Sequence, residues 1–159
     1  MNSVYPCTKY LTNGCWIYLV PQFKSENVLI LGYAGGTVAG LIRLIYGDIP
    51  ITAVDIVDCE PTYGVNFIKA DAKEYIKSCP KFDVVIVDLF KDFGIPDFVL
   101  TNEFVTDLTK IANYIVLNTL KEPDLSAYRN LNRYGSNKPN RGANRIYYFG
   151  VKQYDDLII

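Results

Sequence analysis

The chain has 159 residues, a mass of 18.0 kDa and a formal net charge of −1, which is enough for about one domain with a sizeable core. Half of the residues are hydrophobic and 21% are charged, a composition typical of globular proteins that excludes a disordered chain. The near-neutral charge argues against attraction of nucleic acid by the whole surface, and no apolar run is long enough to span a bilayer.

Residues 1–22 predict a β-hairpin extension in front of a single domain that covers residues 23–159. Asn13-Gly14 lies between two runs of aromatic and aliphatic residues, which is the strongest short-range signal of a hairpin. We expect the hairpin to cap one end of the domain.

The most informative segment is Asn27-Val-Leu-Ile-Leu-Gly-Tyr-Ala-Gly-Gly-Thr37. Its apolar run predicts a strand that is buried on both faces of a parallel sheet. Gly32 lets the chain turn at the end of this strand, and Gly35 and Gly36 allow close approach of a ligand and of the following helix. A tight turn that binds no ligand is the alternative interpretation.

The next predicted strand, residues 51–55, favours nucleotide binding over a ligand-free turn. It ends in Asp55, about 20 residues beyond the glycines, where nucleotide-binding folds place a carboxylate for ribose hydroxyls. The segment after Asp55 contains Pro61 and Gly64 and has no room for the usual crossover helix.

The remaining elements alternate between strands and helices. Asp71 and Thr101 are candidate N-caps for the two helices that follow them. Strands are predicted at residues 65–69, 82–88, 114–117 and 145–151, and helices at 72–76, from 101 onward, and at 124–133. This alternation predicts a parallel α/β sheet with ligands bound at the carboxyl ends of its strands. Gly32, Asp55, Asp71 and Asp88 all fall near that edge.

The residue types restrict the chemistry of such a site. The chain has no histidine, and its cysteines form no Cys-x-x-Cys pair, so we predict no metal site. Any proton abstraction must then fall to Asp, Glu, Lys, Tyr or solvent. Free thiols are the expected state of the cysteines, with a Cys7–Cys15 disulfide as the alternative.

Four segments in order, residues 29–37, 53–58, 68–72 and 82–90, resemble the class I S-adenosylmethionine-dependent methyltransferases. Asp88-Leu-Phe, Ile95-Pro and Leu100-Thr-Asn-Glu-Phe are similar to the spermidine-synthase-like branch of that superfamily. The resemblance implies a three-layer, Rossmann-like α/β fold, in which a mostly parallel sheet has an antiparallel last strand.

The resemblance also implies S-adenosylmethionine as the cofactor and a role for each matching residue. Asp55 would bind the ribose hydroxyls, with Ile56 beside it, while Asp71 and Ala72 would face the adenine. Asp88 would lie beside the sulfonium and the acceptor as the catalytic base. The backbone of the glycine turn would line the methionine part through Gly32, Tyr33, Ala34, Gly35 and Gly36.

Two departures from the family pattern weaken the case for polyamine synthesis. Aminopropyltransferases carry an acid in the glycine turn where this chain has Ala34, and Lys91 replaces the second acid after Asp88. We therefore expect a small methyltransferase of unknown acceptor. The alternatives are an aminopropyltransferase and a catalytically silent adenosyl-binding module, in which Asp55 and Asp88 would be ordinary loop residues and Asp71 only a helix cap.

The segment from Lys121 to Arg145 contains six basic residues and two acidic ones, a local net charge of +4. Its loop around Lys138 and Arg141 is either a solvated hairpin or a patch for an anionic acceptor. We expect a small-molecule acceptor more than a macromolecule, with nucleic acid and a homodimer left open. Because the N-terminus lacks a charged region followed by an apolar core, we expect a cytoplasmic protein.

Overall fold

The computed structural model describes residues 16–33, 35–91, 94–139 and 142–151. Its seven strands form one sheet in the order β3-β2-β1-β4-β5-β7-β6. The strands are β1 Val28–Leu31, β2 Ile51–Asp55, β3 Asn66–Lys69, β4 Phe82–Val87, β5 Ala112–Leu120, β6 Asn132–Asn137 and β7 Asn144–Gly150. The helices are α1 Thr37–Tyr46, α2 Ala72–Tyr75 and α3 Asn102–Ile111.

The sheet is parallel except at its last strand. β1 to β5 pair in parallel with one another, whereas β7 runs antiparallel to both β5 and β6. The predicted α/β class, with a mostly parallel sheet and an antiparallel last strand, is confirmed.

The core consists of two apolar layers, one on each face of the sheet. Val28 and Ile30 of β1 pack in the layer that contains α1, whereas Leu29 and Leu31 pack in the layer that contains α3. All four side chains are at most 1% exposed. Alternate residues of a strand point to opposite faces, so this fully apolar strand forms the centre of three layers, as its sequence predicts.

The described loop 56–65 contains no helix, as predicted, and two side chains of the first βα unit hold it. The Arg43 Nε donates to the carbonyl oxygen of Tyr63 at 2.7 Å. The buried Tyr33 places its hydroxyl 2.6 Å from the Thr62 Oγ1 and accepts from the Thr62 N–H at 3.0 Å. These bonds replace the packing that a crossover helix would supply.

The predicted helix at residues 124–133 is wrong. Only Ser126–Tyr128 forms a short 3₁₀ turn, and the chain then enters β6 at Asn132. The Tyr128 side chain is buried, donates to the Val99 carbonyl at 2.7 Å and stacks on Phe149. This anchor fixes the turn, and pairing with β7 then draws the polar residues that follow into an edge strand.

The structure describes only the second half of the predicted N-terminal hairpin, from Trp16 onward. Its turn at Asn13-Gly14 and the Cys7–Cys15 pair lie outside the described residues. The expected second strand is wrong over Trp16–Leu19, which forms a 3₁₀ turn. Leu19 is fully buried there in the α1 layer, so packing on the sheet face determines the local structure. Among the described residues, no helix is long and apolar enough to cross a membrane.

We predict that Gly32→Ala destabilises the fold far more than Gly64→Ala. Both glycines have positive φ, 96° and 65°, but a Cβ on Gly32 would lie 2.1 Å from the Asp88 carbonyl oxygen, whereas one on Gly64 would meet only the Arg43 Nη2 at 3.9 Å. Gly64→Ala, the control, should lower the free energy of unfolding by about 1 kcal/mol through backbone strain. Gly32→Ala should lower it by at least about 3 kcal/mol. Urea unfolding measures both, and equal losses would contradict the prediction.

Candidate functional site

Four of the predicted site residues lie along one edge of the sheet. Gly32, Asp55 and Asp88 stand at the carboxyl ends of β1, β2 and β4, and Asp71 follows β3. Because these strands are parallel neighbours in the order β3-β2-β1-β4, the edge runs Asp71, Asp55, Gly32, Asp88. This is the edge at which open α/β sheets bind ligands.

The glycine turn is tightly packed against the neighbouring strands. The Gly32 N–H donates to the Val54 carbonyl at 2.8 Å, and the Asp88 N–H donates to the Leu31 carbonyl at 2.9 Å. Gly36 has a φ of 81°, and a Cβ there would lie 2.6 Å from the Tyr33 hydroxyl. Both glycines are thus required by the protein's own packing. Ala34 lies outside the described residues.

Asp55 joins the glycine turn to the loop after β2. Its Oδ2 accepts from the Tyr33 N–H and its Oδ1 from the Val57 N–H, both at 3.0 Å. These bonds fix the carboxylate at the sheet edge, where it is partly exposed. A carboxylate has about four acceptor positions, so this backbone anchoring is compatible with ribose binding.

The residues that follow Asp55 are exposed, whereas the residue that follows Asp71 is buried. Ile56 is 68% exposed and Val57 63%, which leaves an apolar surface beside Asp55 for the flat face of a base. Ala72 is buried, and Asp71 caps α2 by accepting from the Lys73 N–H at 2.9 Å. The predicted N-cap is confirmed, and an adenine contact by Asp71 stays a prediction.

Asp88 is the electrostatically unusual group of the edge. Burial raises the pKa of its carboxyl to about 6, a hydrogen bond from Asn118 opposes that rise, and the negative charge of Asp55 adds to it. The Asn118 Nδ2 donates to the Asp88 Oδ1 at 2.9 Å, and the Asn144 Nδ2 donates to the Asn118 Oδ1 at 3.0 Å. A pKa near 6 suits a carboxylate for general base catalysis close to neutral pH.

Asn118 and Asn144 were absent from the predicted site. Asn118 is 2% exposed within the apolar run of β5, and a buried amide requires hydrogen-bond partners. The signal that could have identified it is an Asn directly after the apolar residues 115–117. Asn144 carries no comparable signal because it lies in a polar loop sequence.

The other half of the same edge is basic. Lys121 follows β5, Lys138 follows β6, and Arg145 of β7 pairs with Thr119 near the end of β5. Lys91, beyond Asp88, pairs with Gly94 in a tight loop. Asp92 and Arg141 lie outside the described residues. A cavity of about 280 Å³ lies at the opposite edge, lined by residues that include Asp83 and Lys110, and holds none of the predicted site residues.

We predict that the wild type loses unfolding free energy relative to Asp88→Asn as the pH rises from about 4 to about 6. The folded-state pKa of Asp88 is about 6 and that of an unfolded Asp about 3.9, so in this window the folded state binds more protons and stability falls with pH. The relative loss should be on the order of 2 kcal/mol. Denaturant unfolding of both proteins at several pH values measures it, and a difference independent of pH would refute the raised pKa.

One curated protein matches the sequence at low identity. The chain is 24% identical over 151 residues to a polyamine aminopropyltransferase of Vibrio vulnificus. The match covers 77% of this chain and 50% of that protein. The chain thus spans about half the length of the curated relative that it matches. No family model matches the sequence.

Solved structures match over most of the chain. Human methyltransferase-like protein 13 in complex with SAH matches with a TM-score of 0.69 and 16% identity, over 87% of this chain and 79% of that one. A putative ribosomal RNA methyltransferase of Plasmodium falciparum matches with a TM-score of 0.62 and 16% identity, over 92% and 96%. These likenesses and the strand order confirm that the chain has the Rossmann-like fold of the S-adenosylmethionine-dependent methyltransferases.

Proposed function

We propose that the chain binds S-adenosylmethionine along the edge from Asp71 to Asp88 and transfers its methyl group to an acceptor beside Asp88. The observation that carries this proposal is the order Asp71, Asp55, Gly32, Asp88 along one edge of a methyltransferase fold. The human protein of similar fold was crystallised with SAH, the product that S-adenosylmethionine leaves after methyl transfer.

The residues of the edge fit this cofactor in charge and polarity. Asp55 is held by two backbone N–H groups and would accept from the ribose hydroxyls. The exposed Ile56 and Val57 would lose water-accessible apolar surface against the adenine, which favours binding. Asp88 would face the positive sulfonium, and a nearby cation favours its ionised form.

The cofactor supplies an electrophilic methyl group, so the chain has to align the acceptor and remove its proton. Alignment accounts for a large part of the rate in such transfers. Asp88 would accept the proton, because its pKa of about 6 leaves it mostly ionised at neutral pH. Tyr33 does not compete for this role, since its hydroxyl is bound to Thr62 in the interior.

Aminopropyl transfer is the second candidate, and the relative from Vibrio vulnificus favours it. That reaction uses decarboxylated S-adenosylmethionine. In the aminopropyltransferases an acid in the glycine turn holds the free amine of this cofactor. This chain has Ala34 at that position, so we keep methyl transfer as the proposed reaction.

We further propose that the acceptor is a small anion bound over the basic half of the edge. Lys121, Lys138 and Arg145 follow or begin strands there, and the segment 121–145 carries +4. Arg133 of the same segment lies at the other end of the β6–β7 hairpin, opposite Phe149, so the attraction depends on Lys121, Lys138 and Arg145. Positive side chains on one half of a site attract anions to it.

We predict that Asp55→Ala lowers the affinity for S-adenosylmethionine by about 10- to 150-fold, because hydrogen bonds to a charged group contribute about 1.5–3 kcal/mol. The matched control is Asp58→Asn, which removes an exposed carboxylate three residues away that pairs with Lys69. Isothermal calorimetry measures both, with circular dichroism to verify folding.

Wild-type affinity in a folded Asp55→Ala protein would overturn the assignment of the ribose site. The same titrations with decarboxylated S-adenosylmethionine separate the two candidate reactions. A tenfold preference for the decarboxylated form would favour aminopropyl transfer, whereas no preference supports methyl transfer.

We predict that Lys121→Glu with Lys138→Glu raises the KM of an anionic acceptor about tenfold at low salt and leaves kcat nearly unchanged, because long-range attraction is lost. The control, Lys81→Glu with Lys110→Glu, changes the net charge equally at the opposite edge and should alter KM less than about twofold. The assay is release of S-adenosylhomocysteine with nucleoside monophosphates, sugar phosphates, putrescine or a short single-stranded RNA as acceptor.

Two outcomes of that assay would contradict the proposed acceptor class. A preference for putrescine would place a cation over the basic half, and a preference for the RNA would make the acceptor a macromolecule. Equal effects of the two double variants would show that the charge acts without regard to position.

A further inference from the structure

The side-chain amides of Asn118 and Asn144 form a row of hydrogen bonds that ends on Asp88. Asn118 lies in β5, is 2% exposed and donates from its Nδ2 to the Asp88 Oδ1 at 2.9 Å. Asn144 opens β7 and donates from its Nδ2 to the Asn118 Oδ1 at 3.0 Å. Three neighbouring strands therefore contribute one side chain each to a single row of hydrogen bonds.

The direction of the row follows from the chemistry of its groups. An ionised carboxylate only accepts hydrogen bonds, so the amide beside it must present its NH₂ group. The oxygen of the Asn118 amide then faces β7 and requires a donor, which Asn144 provides. Each amide thus fixes the orientation of the next, and the Asp88 carboxylate is held through Oδ1.

The row also joins Asp88 to the hairpin formed by β6 and β7. Asn144 pairs with Leu120 at the end of β5 and follows directly on the loop that connects the two hairpin strands. The Thr119 Oγ1 donates to the Arg145 carbonyl at 2.8 Å, which fastens the same strand ends a second time. The hairpin that carries Lys138 and Arg145 is therefore connected to the carboxylate by hydrogen bonds.

We propose that Asn118 and Asn144 are positioning residues that hold the Asp88 carboxylate through Oδ1, so that Oδ2 is left to take the acceptor's proton. This inference rests on the proposed function of Asp88. Among the described residues, no hydrogen bond is made to Oδ2, whereas Oδ1 is engaged. The fixed oxygen sets the direction of the other, as the removal of a proton in line with transfer requires.

The electrostatic surroundings of Asp88 make this role measurable. Its carboxylate faces the Asn118 amide from β5 and the charge of Asp55 from β2, while β1 meets its backbone through Gly32. The hydrogen bond from Asn118 lowers the pKa of Asp88, and burial and Asp55 raise it. Removing the amide must therefore raise the pKa, which a purely structural role in packing would not predict.

The experiment compares Asn118→Leu and Asn144→Ala with Thr119→Val. The control removes a buried hydrogen bond from the next residue of β5, and that bond ends on Arg145 instead of Asp88. The Asp88 carboxyl is titrated by ¹³C NMR in protein labelled at aspartate, with its signal assigned through Asp88→Asn. We expect the midpoint to rise by about one pH unit in Asn118→Leu, to rise less in Asn144→Ala, and to stay unchanged in Thr119→Val.

Turnover provides the second measurement. With the acceptor that gives the highest rate in the panel above, the acid limb of kcat should shift upward in Asn118→Leu, which lowers kcat about threefold at pH 6.5. Loss of the fixed orientation should increase the total fall to about tenfold. The affinity for S-adenosylmethionine, measured by calorimetry, should stay within about twofold of the wild type.

The outcomes separate this inference from the proposed function. An unchanged midpoint in both Asn variants, or an equal shift in Thr119→Val, would overturn the positioning role even if Asp88→Asn abolishes transfer. Conversely, full turnover by Asp88→Asn would overturn the catalytic role of Asp88, although the titration shifts remained. If Asn118→Leu does not fold, Asn144→Ala decides the question, because it changes only the outer amide of the row.

Discussion

The contact between Gly32 and the backbone of Asp88 is the constraint on which the site depends. A Cβ at position 32 would lie 2.1 Å from the Asp88 carbonyl oxygen, so the ends of β1 and β4 approach as closely as only glycine permits. Hydrogen bonds from Gly32 to Val54 and from Asp88 to Leu31 lock the ends of three strands together. With these ends fixed, Asp55 reaches the Tyr33 N–H and Asp88 reaches Asn118.

The sheet also explains how a partly buried carboxylate is tolerated. Burial raises the pKa of Asp88, so its ionised form at neutral pH reduces the stability of the fold. The strands beneath it are almost entirely apolar and buried on both faces, and such burial is the main favourable contribution to folding. The destabilising group is thereby confined to the edge, where the proposed cationic cofactor would compensate its charge.

The sequence predicts well the parts of the fold that apolar burial determines. β1 is a continuous apolar run, and β2 and β4 are apolar apart from Thr52, Asp83 and the terminal Asp55. An acid or a glycine stands at the end of each strand, and these features locate both the strands and the edge residues. It fails for β6, whose residues Asn-Arg-Tyr-Gly-Ser-Asn are mostly exposed and carry no apolar alternation. Such an edge strand exists because β7 offers backbone partners, which no local pattern can indicate.

The candidate site divides in the same way. The acids and glycines follow from the strand ends, whereas Asn118 and Asn144 depend on which strands become neighbours. The 23 residues 121–143 separate the end of β5 from the start of β7 in the sequence, but the two strands are adjacent in the sheet. The hydrogen bond between their amides is therefore a product of topology, and it is recognised only when the sheet order is known.

The acids of the proposed cofactor site and three basic side chains lie on opposite sides of Asp88 along the edge. The β3-β2-β1 half carries Asp71 and Asp55, and the β5-β7-β6 half carries Lys121, Lys138 and Arg145. A cationic cofactor over the acidic half and an anionic acceptor over the basic half would each gain from the field of the protein. The carboxylate between them would be stabilised by the cofactor's positive charge until it takes up the acceptor's proton. The order of charges along the edge would then match the order of groups in the proposed methyl transfer.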